Sequence, residues 1–317
     1  MRKVAITGIS GYIGNQILQR LDKHDSVESI IGIDLKLPRF ASSKLKFYSR
    51  DICRPFTDIF IDNKVSSAIH LAFAVKPTHD HNRARIIDID GANNFMEACR
   101  QASVGQLIYM SSHSAYGPHP DNLNPLTEES PLRPIRSFQY SRDKAEADRM
   151  FQEFAKQNPN ICVSIVRACP VIGPHAAGSV STAMFKPIMM RLTGYNPQLQ
   201  FVHEDDIADL LVTLLKQKLS GAFNAAGDGW LSYKEVIAAT GKRCIVLPAG
   251  LISPILAVTW TLRLQVQSPP GGLEFIKYPV VLSTDKLKEA SDFKFRYNSR
   301  DALMSYLSTA KHQQELE

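Results

Sequence analysis

Along the first half of the chain, short apolar runs alternate with longer stretches whose apolar positions recur every three or four residues. The runs are VAITG (4–8), SIIGID (29–34), AIHLAF (68–73), QLIYMSS (106–112) and VSIVRA (163–168). Continuous apolar runs of this length fit strands buried on both faces. Between them, residues 12–22, 83–101 and 138–157 carry the spacing of amphipathic helices. Strands alternating with helices pair in parallel through right-handed crossovers, so the pattern predicts an α/β fold with a doubly wound parallel sheet. After Pro170 the alternation breaks. Residues 171–200 have no clear period, a strand-like FVHEDDIADLLVTLL (201–215) follows, then AFNAAGDG (222–229) and a mixed tail. The predicted division is a nucleotide-binding domain of residues 1–170 plus about 201–227, and a smaller C-terminal domain of about 171–200 plus 228–317. The longest apolar stretch, Ile245–Leu264, is broken by Pro248, Pro254 and Arg263 and falls short of a membrane span. It is read as a buried helix of the smaller domain; the other readings are a membrane contact or a lid over an apolar substrate.

Composition changes this picture little. The chain is 44% hydrophobic and 21% charged, ordinary globular usage that excludes a disordered or low-complexity class. A net charge of +6 suits small phosphate-bearing ligands, while the absence of a basic stripe argues against nucleic acid. Cys53, Cys99, Cys162, Cys169 and Cys244 are odd in number and widely spaced, which argues against a disulfide framework or a zinc site. His79-Asp80-His81 reads as a solvated loop, because three adjacent polar residues rarely converge on one ion; no metal is expected. The first residues, MRKVAIT, run straight into a glycine motif with no signal-peptide core, so a cytoplasmic location is expected.

The glycine motif is Thr7-Gly8-Ile9-Ser10-Gly11-Tyr12-Ile13-Gly14, at the end of the first strand and the start of the first helix. Gly8 permits a tight turn, Gly11 lets backbone approach a pyrophosphate, and Gly14 lets the helix pack on the strand. The helix N-terminus adds amide donors and a positive dipole. The competing reading is a purely structural turn. Asp34 closes the second strand, where a carboxylate accepts hydrogen bonds from both adenosine ribose hydroxyls and repels a 2′-phosphate. Arg39 downstream offers the opposite preference, and Asp34 decides for NAD.

Tyr140 and Lys144 stand four apart, on one face of a helix. A lysine ammonium beside a phenol favours phenolate, pulling the tyrosine pKa down from ~10 and making it an acid–base group for an alcohol or ketone. A serine-tipped strand, QLIYMSS, precedes them. A strand-tip serine facing a helix tyrosine makes a donor pair around a C–O bond; the plainer reading of Ser111 and Ser112 is that of turn residues.

Together these residues resemble the extended short-chain dehydrogenase/reductase family, in its NAD-dependent epimerase/dehydratase branch. The resemblance rests on TGxxGxxG, Asp34, Arg50-Asp51-Ile52, His70-Leu71-Ala72-Phe73, Ser111-Ser112 with Tyr116-Gly117, the Tyr140/Lys144 pair and FVHEDDIA at 201–208. It implies a Rossmann-type domain binding NAD and a C-terminal substrate domain. It also implies that Asp51 and Ile52 flank the adenine, and that Leu71, Ala72 and Phe73 flank the nicotinamide ribose. Lys144 then also holds that ribose, Ser112 bonds the reacting oxygen, and Tyr12, Ile13, Ser111 and Cys169 complete the cofactor contacts.

Departures from the family pattern bear on substrate. The Asp-Glu pair of dehydratases is His113-Ser114 here, which disfavours elimination of water. An Asn that contacts the sugar nucleotide in UDP-sugar epimerases is Pro170, an Arg that clamps the diphosphate is Leu199, and an Asn in the helix after the fourth strand is Asp88. Ser112, His113 and Pro170 are the expected substrate neighbours, with Lys186, Arg191 and Arg263 as candidate replacements for the missing cation. The expected activity is a nucleotide-sugar epimerase of the UDP-glucose/galactose type. The alternatives are a net oxidoreductase of a non-nucleotide alcohol or ketone and, third, a non-catalytic NAD-binding regulator. The resemblance further implies a two-fold homodimer through helices 91–101 and 137–157, with Phe95, Met96, Phe138, Met150, Phe151 and Phe154 as candidate contacts.

Overall fold

The computed structural model of the protein describes residues 2–176 and 188–315. Its first half runs β1 (Arg2–Thr7), α1 (Tyr12–Asp22), β2 (Val27–Asp34), β3 (Leu45–Ser49), α2 (Thr57–Asp62), β4 (Ser67–His70), α3 (His81–Arg85), a π-helical turn (Ile86–Asp90), α4 (Gly91–Gln101), β5 (Gln106–Ser112), α5 (Gln139–Gln157) and β6 (Cys162–Ala168). The second half runs β7 (Val171–Ile172), β8 (Ile188–Leu192), β9 (Gln198–Leu199), β10 (Val202–His203), α6 (Glu204–Gln217), β11 (Gly221–Ala225), β12 (Leu231–Ser232), α7 (Tyr233–Thr240), β13 (Arg243–Leu247), α8 (Ala249–Thr261), α9 (Asp285–Ala290) and α10 (Ser299–Glu315).

Seven strands form one parallel sheet in the order β11-β6-β5-β4-β1-β2-β3. The apolar runs became its centre because helices cover both faces. Ile17, Leu18 and Leu21 of α1 join Leu210, Leu211 and Leu214 of α6 in one buried cluster. Phe60 of α2, Phe95 and Met96 of α4 and Phe151 of α5 fill the other face. Phe95, Met96 and Phe151 are therefore core residues of this chain, with no apolar surface to offer a second copy. The edge strand β3 and the short α2 went unforeseen; β3 alternates polar and apolar residues and is half-exposed, so it lacks the signal of a central strand.

Two expectations fail. The segment 201–215 is mainly the helix α6, entered through the two-residue β10. His203 caps it by accepting a bond from the Asp205 amide at 3.1 Å, and Glu204, Asp205 and Asp206 occupy the first turn, where the helix dipole favours acids. Ile207, Leu210, Leu211, Leu214 and Leu215 then recur at helical spacing toward the sheet. The stretch 245–264 is not a buried helix: β13 leads into α8, and none of the α8 residues is buried.

Candidate functional site

The order of the sheet reverses between β4 and β1, and a crevice opens there at the C-terminal strand ends. Gly8 turns the chain out of β1 at φ 75°, and a Cβ there would stand 2.6 Å from the Ala72 amide nitrogen. A Cβ on Gly14 would stand 2.3 Å from the Gly8 carbonyl oxygen. Both glycines are thus required by close backbone approach. Gly11 is the N-cap of α1 and contributes no side-chain cap, so the first-turn amides of Tyr12, Ile13 and Gly14 have no capping side chain. That is the donor set a pyrophosphate needs. Asp34, at the tip of β2, accepts bonds from the Ser10 amide at 3.0 Å and the Leu35 amide at 2.7 Å, which fixes its carboxylate beside the glycine turn.

The flanking positions fit a dinucleotide to different degrees. Asp51 accepts a bond from the Cys53 amide at 3.0 Å and pairs with Arg83 at 3.0 Å; the Cys53 bond first, then Arg83, hold its carboxyl down at about 2. Ile52 packs on Gly91, where a Cβ would come within 2.6 Å of its side chain. The Leu71 amide donates to the Thr7 carbonyl at 3.0 Å, which brings Leu71–Phe73 over the crevice. Cys169 is buried at the end of β6, its amide on the Ala225 carbonyl. Two expected cofactor residues have their hydroxyls engaged elsewhere. Tyr12 donates to Glu204 of α6, and Ser111 donates to Asp148 at 2.6 Å inside the core.

Ser112 and Tyr140 come together, the serine at the tip of β5 favouring the charged form of the phenol. Ser112 is oriented by its role as N-cap of a single 3-10 turn, accepting from the Ser114 amide at 3.1 Å. Lys144 lies one turn beyond Tyr140, but its Nζ donates to the Met110 carbonyl at 2.7 Å and sits 3.5 Å over the Phe73 ring. It is 5.9 Å from the Tyr140 ring centre. The lysine therefore does not draw the phenol down as expected. Burial pushes Tyr140 up to about 12, with Ser112 opposing and Asp88 adding. Burial also pushes the Lys144 ammonium below its ordinary range, against the pull of Asp88 and Asp148.

Asp88 was noted in the sequence as a replaced Asn and given no role, yet its charge acts on both Tyr140 and Lys144. It sits in the π-helical turn between α3 and α4, almost fully buried, and accepts from the Ala74 amide at 2.6 Å. Burial raises its carboxyl well above the usual range, with Lys144 opposing. A π-helical turn often marks a functional position, but nothing in the residue types announced this one.

Above Tyr140 a cleft is lined by Ala74, Lys76, His81, Phe138, Trp260 and Pro269, among others. Of the candidate cations, Lys186 lies outside the described residues, and Arg191 and Arg263 do not line this cleft, whereas Lys76 does. Arg191 sits in β8, paired with β13, and Arg263 lies exposed beyond α8. His113 faces the Phe275 ring at 5.7 Å, with burial holding its imidazole down at about 4. Pro170 uses its carbonyl to accept the Val202 amide, and Leu199 pairs with Leu231. His79 bonds the Gln265 carbonyl at 2.8 Å and packs against the Trp260 ring, tilted by 43° at 4.2 Å, while Asp80 caps α3, so these two serve the local fold. Among the described residues no cluster of His, Cys, Asp and Glu is arranged to hold a metal.

The sequence matches the profile of the NAD dependent epimerase/dehydratase family over residues 4–226. An uncharacterized protein of Mycobacterium tuberculosis is 25% identical over 253 residues, spanning 77% of this chain and 67% of its own. A UDP-glucose 4-epimerase of Lactobacillus helveticus is 28% identical over 184 residues, 56% of this chain and 54% of its own. The fold is that of MoeE5, solved in complex with UDP-glucuronic acid and NAD, with a TM-score of 0.77, 19% identity and coverage of 98% and 99% of the two chains. A UDP-glucose 4-epimerase of Thermotoga maritima gives 0.76 at 17% identity, covering 99% of this chain and 100% of the other.

Proposed function

From the premise that this chain belongs to the NAD dependent epimerase/dehydratase family, and is an NAD-dependent enzyme, we propose that it interconverts the epimers of a nucleotide sugar through a keto form. The observation that carries the reading is the placing of Ser112, at the tip of β5, next to Tyr140 of α5, which lines the cleft. NAD, when bound, would supply the hydride-transfer chemistry. Tyr140 takes the proton of the sugar hydroxyl and gives it back, and Ser112 holds the reacting oxygen. A phenol held at about 12 is protonated at neutral pH, so it is set to donate toward a ketone, and Lys144 has to leave the Met110 carbonyl to favour the phenolate. Gly8, Gly11 and Gly14 would hold the NAD pyrophosphate, and Asp34 its adenosine ribose. The nucleotide-sugar assignment draws its support from end-to-end likeness to UDP-sugar enzymes.

The test is interconversion of UDP-glucose and UDP-galactose by wild type and by Tyr140→Phe. Removing the proton carrier lowers turnover by about 10²–10⁴ while NAD affinity stays. A Tyr140→Phe enzyme at wild-type rate ends this assignment.

A second reading, net oxidoreduction of an apolar alcohol or ketone, is favoured by the aromatic lining of the cleft: Phe138, Tyr140 and Trp260. It predicts that reduced cofactor accumulates with such an alcohol and that UDP does not bind. A two-fold homodimer through the outer faces of α4 and α5 belongs to the same reading of the family; a monomer in light scattering at micromolar concentration overturns it.

A further inference from the structure

The helix α8, AGLISPILAVTWT, is apolar on all sides, a composition that in a folded chain is normally buried. Here none of its residues is buried. Leu251 is 54% exposed, Ile255 47% and Val258 55%, and the exposure continues into Leu262 at 62% and Leu264 at 71%. Ile245 and Val246 of the adjoining β13 are exposed as well. So contiguous an apolar surface marks a contact with something outside the chain.

Its charge indicates what that contact is. Residues 236–273 contain no aspartate or glutamate, in a chain whose Asp+Glu total is 31. The cations Lys242 and Arg243 precede the helix and Arg263 follows it. An apolar face stripped of acids and bracketed by bases complements an anionic lipid surface, where apolar side chains enter the acyl boundary and bases meet headgroups. At thirteen residues the helix is about 20 Å long, against a hydrocarbon core of roughly 30 Å. No helix among the described residues is long and apolar enough to cross a membrane. The geometry therefore suits lying in the surface rather than spanning it.

We propose that α8, with the β13 edge and the Leu262–Leu264 tail, docks this protein on the surface of an anionic bilayer. The same helix carries Trp260, which packs against His79 and lines the cleft over Tyr140. Docking through its outer face therefore sets the mouth of the cleft next to the lipid.

The experiment is co-sedimentation of the full chain with vesicles of phosphatidylcholine alone and of seven parts phosphatidylcholine to three of phosphatidylglycerol. The comparison protein is the triple variant Leu251→Ser, Ile255→Ser, Val258→Ser. Wild type pellets with the anionic vesicles and is released by high salt, and the triple variant binds at least about tenfold more weakly. Its melting temperature and NAD affinity match wild type, since these three side chains leave the core and the glycine turn untouched. Wild type that stays in the supernatant with anionic vesicles overturns the proposal, as does a triple variant that binds them equally well. A wild-type dimer in light scattering that the triple variant dissolves, with no vesicle binding, overturns it in favour of a second copy on the same face.

Discussion

The buried ion pair between Asp148 and Arg167 is the sharpest place to test how the fold holds the catalytic groups. Arg167, on β6, donates from Nε and Nη2 to the two carboxylate oxygens of Asp148 at 2.9 and 2.8 Å. The two side chains are 3% and 0% exposed. Ser111 adds a bond to Asp148 at 2.6 Å and Gln152 another at 2.7 Å, while Arg167 also reaches the Tyr116 hydroxyl and the Glu128 carbonyl. Asp148 lies one turn beyond Lys144 and two beyond Tyr140, on the same face of α5, and Ser111 is the neighbour of Ser112. The network thus pins the tip of β5 to the helix that carries the tyrosine. Asp148→Ala leaves a guanidinium buried without its countercharge and a serine without its acceptor. Breaking one side of a buried pair costs about 3–5 kcal/mol. In a domain of this size each kcal/mol shifts the melting temperature by roughly 2–4 °C, so a loss of about 6 °C or more is expected. The double variant Asp148→Leu, Arg167→Met removes both charges and should recover part of that loss. The assay is denaturant unfolding of all three proteins at neutral pH, with turnover measured well below the midpoint. A single variant within about 1 kcal/mol of wild type refutes the reasoning, because no buried charge would then have been left unpaired.

Two further outcomes are expected. Asp34→Ser removes the carboxylate beside the glycine turn, so NAD binding weakens while NADP binding holds or improves; wild type that prefers NADP in calorimetric titration removes the basis for this. His70 is fully buried, donates to or accepts from Thr7 at 2.7 Å, and burial holds its imidazole at about 3, with Lys144 adding to the shift. The folded value lies below the unfolded ~6.5, so the unfolded chain binds a proton that the native one refuses. Stability contributed at pH 7 is therefore lost as pH falls below about 6.5, by about 2 kcal/mol at pH 5. His70→Gln should lack that increment; unfolding curves with the same pH slope in both proteins argue that His70 titrates alike in the two states.

What the chain discloses before folding depends on whether a residue's role is local. The glycine turn was legible because its demands are steric and met within a few residues: Gly8 and Gly14 each sit where a Cβ would strike backbone. The central strands were legible because burial on both faces leaves no polar position to confuse the pattern. Segment 201–215 was misread although its signals were present, since three acids followed by Ile207, Leu210, Leu211 and Leu214 describe a helix start and a helical stripe. The apolar tract after Ile245 was misread for a different reason. Hydrophobicity specifies that a surface leaves water and says nothing about what covers it, and no residue of α8 is buried among the described residues. The chemistry at Tyr140 was half legible. Spacing brings Tyr140 and Lys144 to one face of α5, but where the lysine points is decided by the Met110 carbonyl and the Phe73 ring, from β5 and the loop after β4. Ser111 and Ser112 show the same division. Adjacent in sequence and identical in type, they point to opposite sides of the strand tip because successive side chains of a strand alternate, one to Asp148 in the core and one to Tyr140 in the crevice. A pair of serines names two candidates, and only the register of β5 against α5 assigns them.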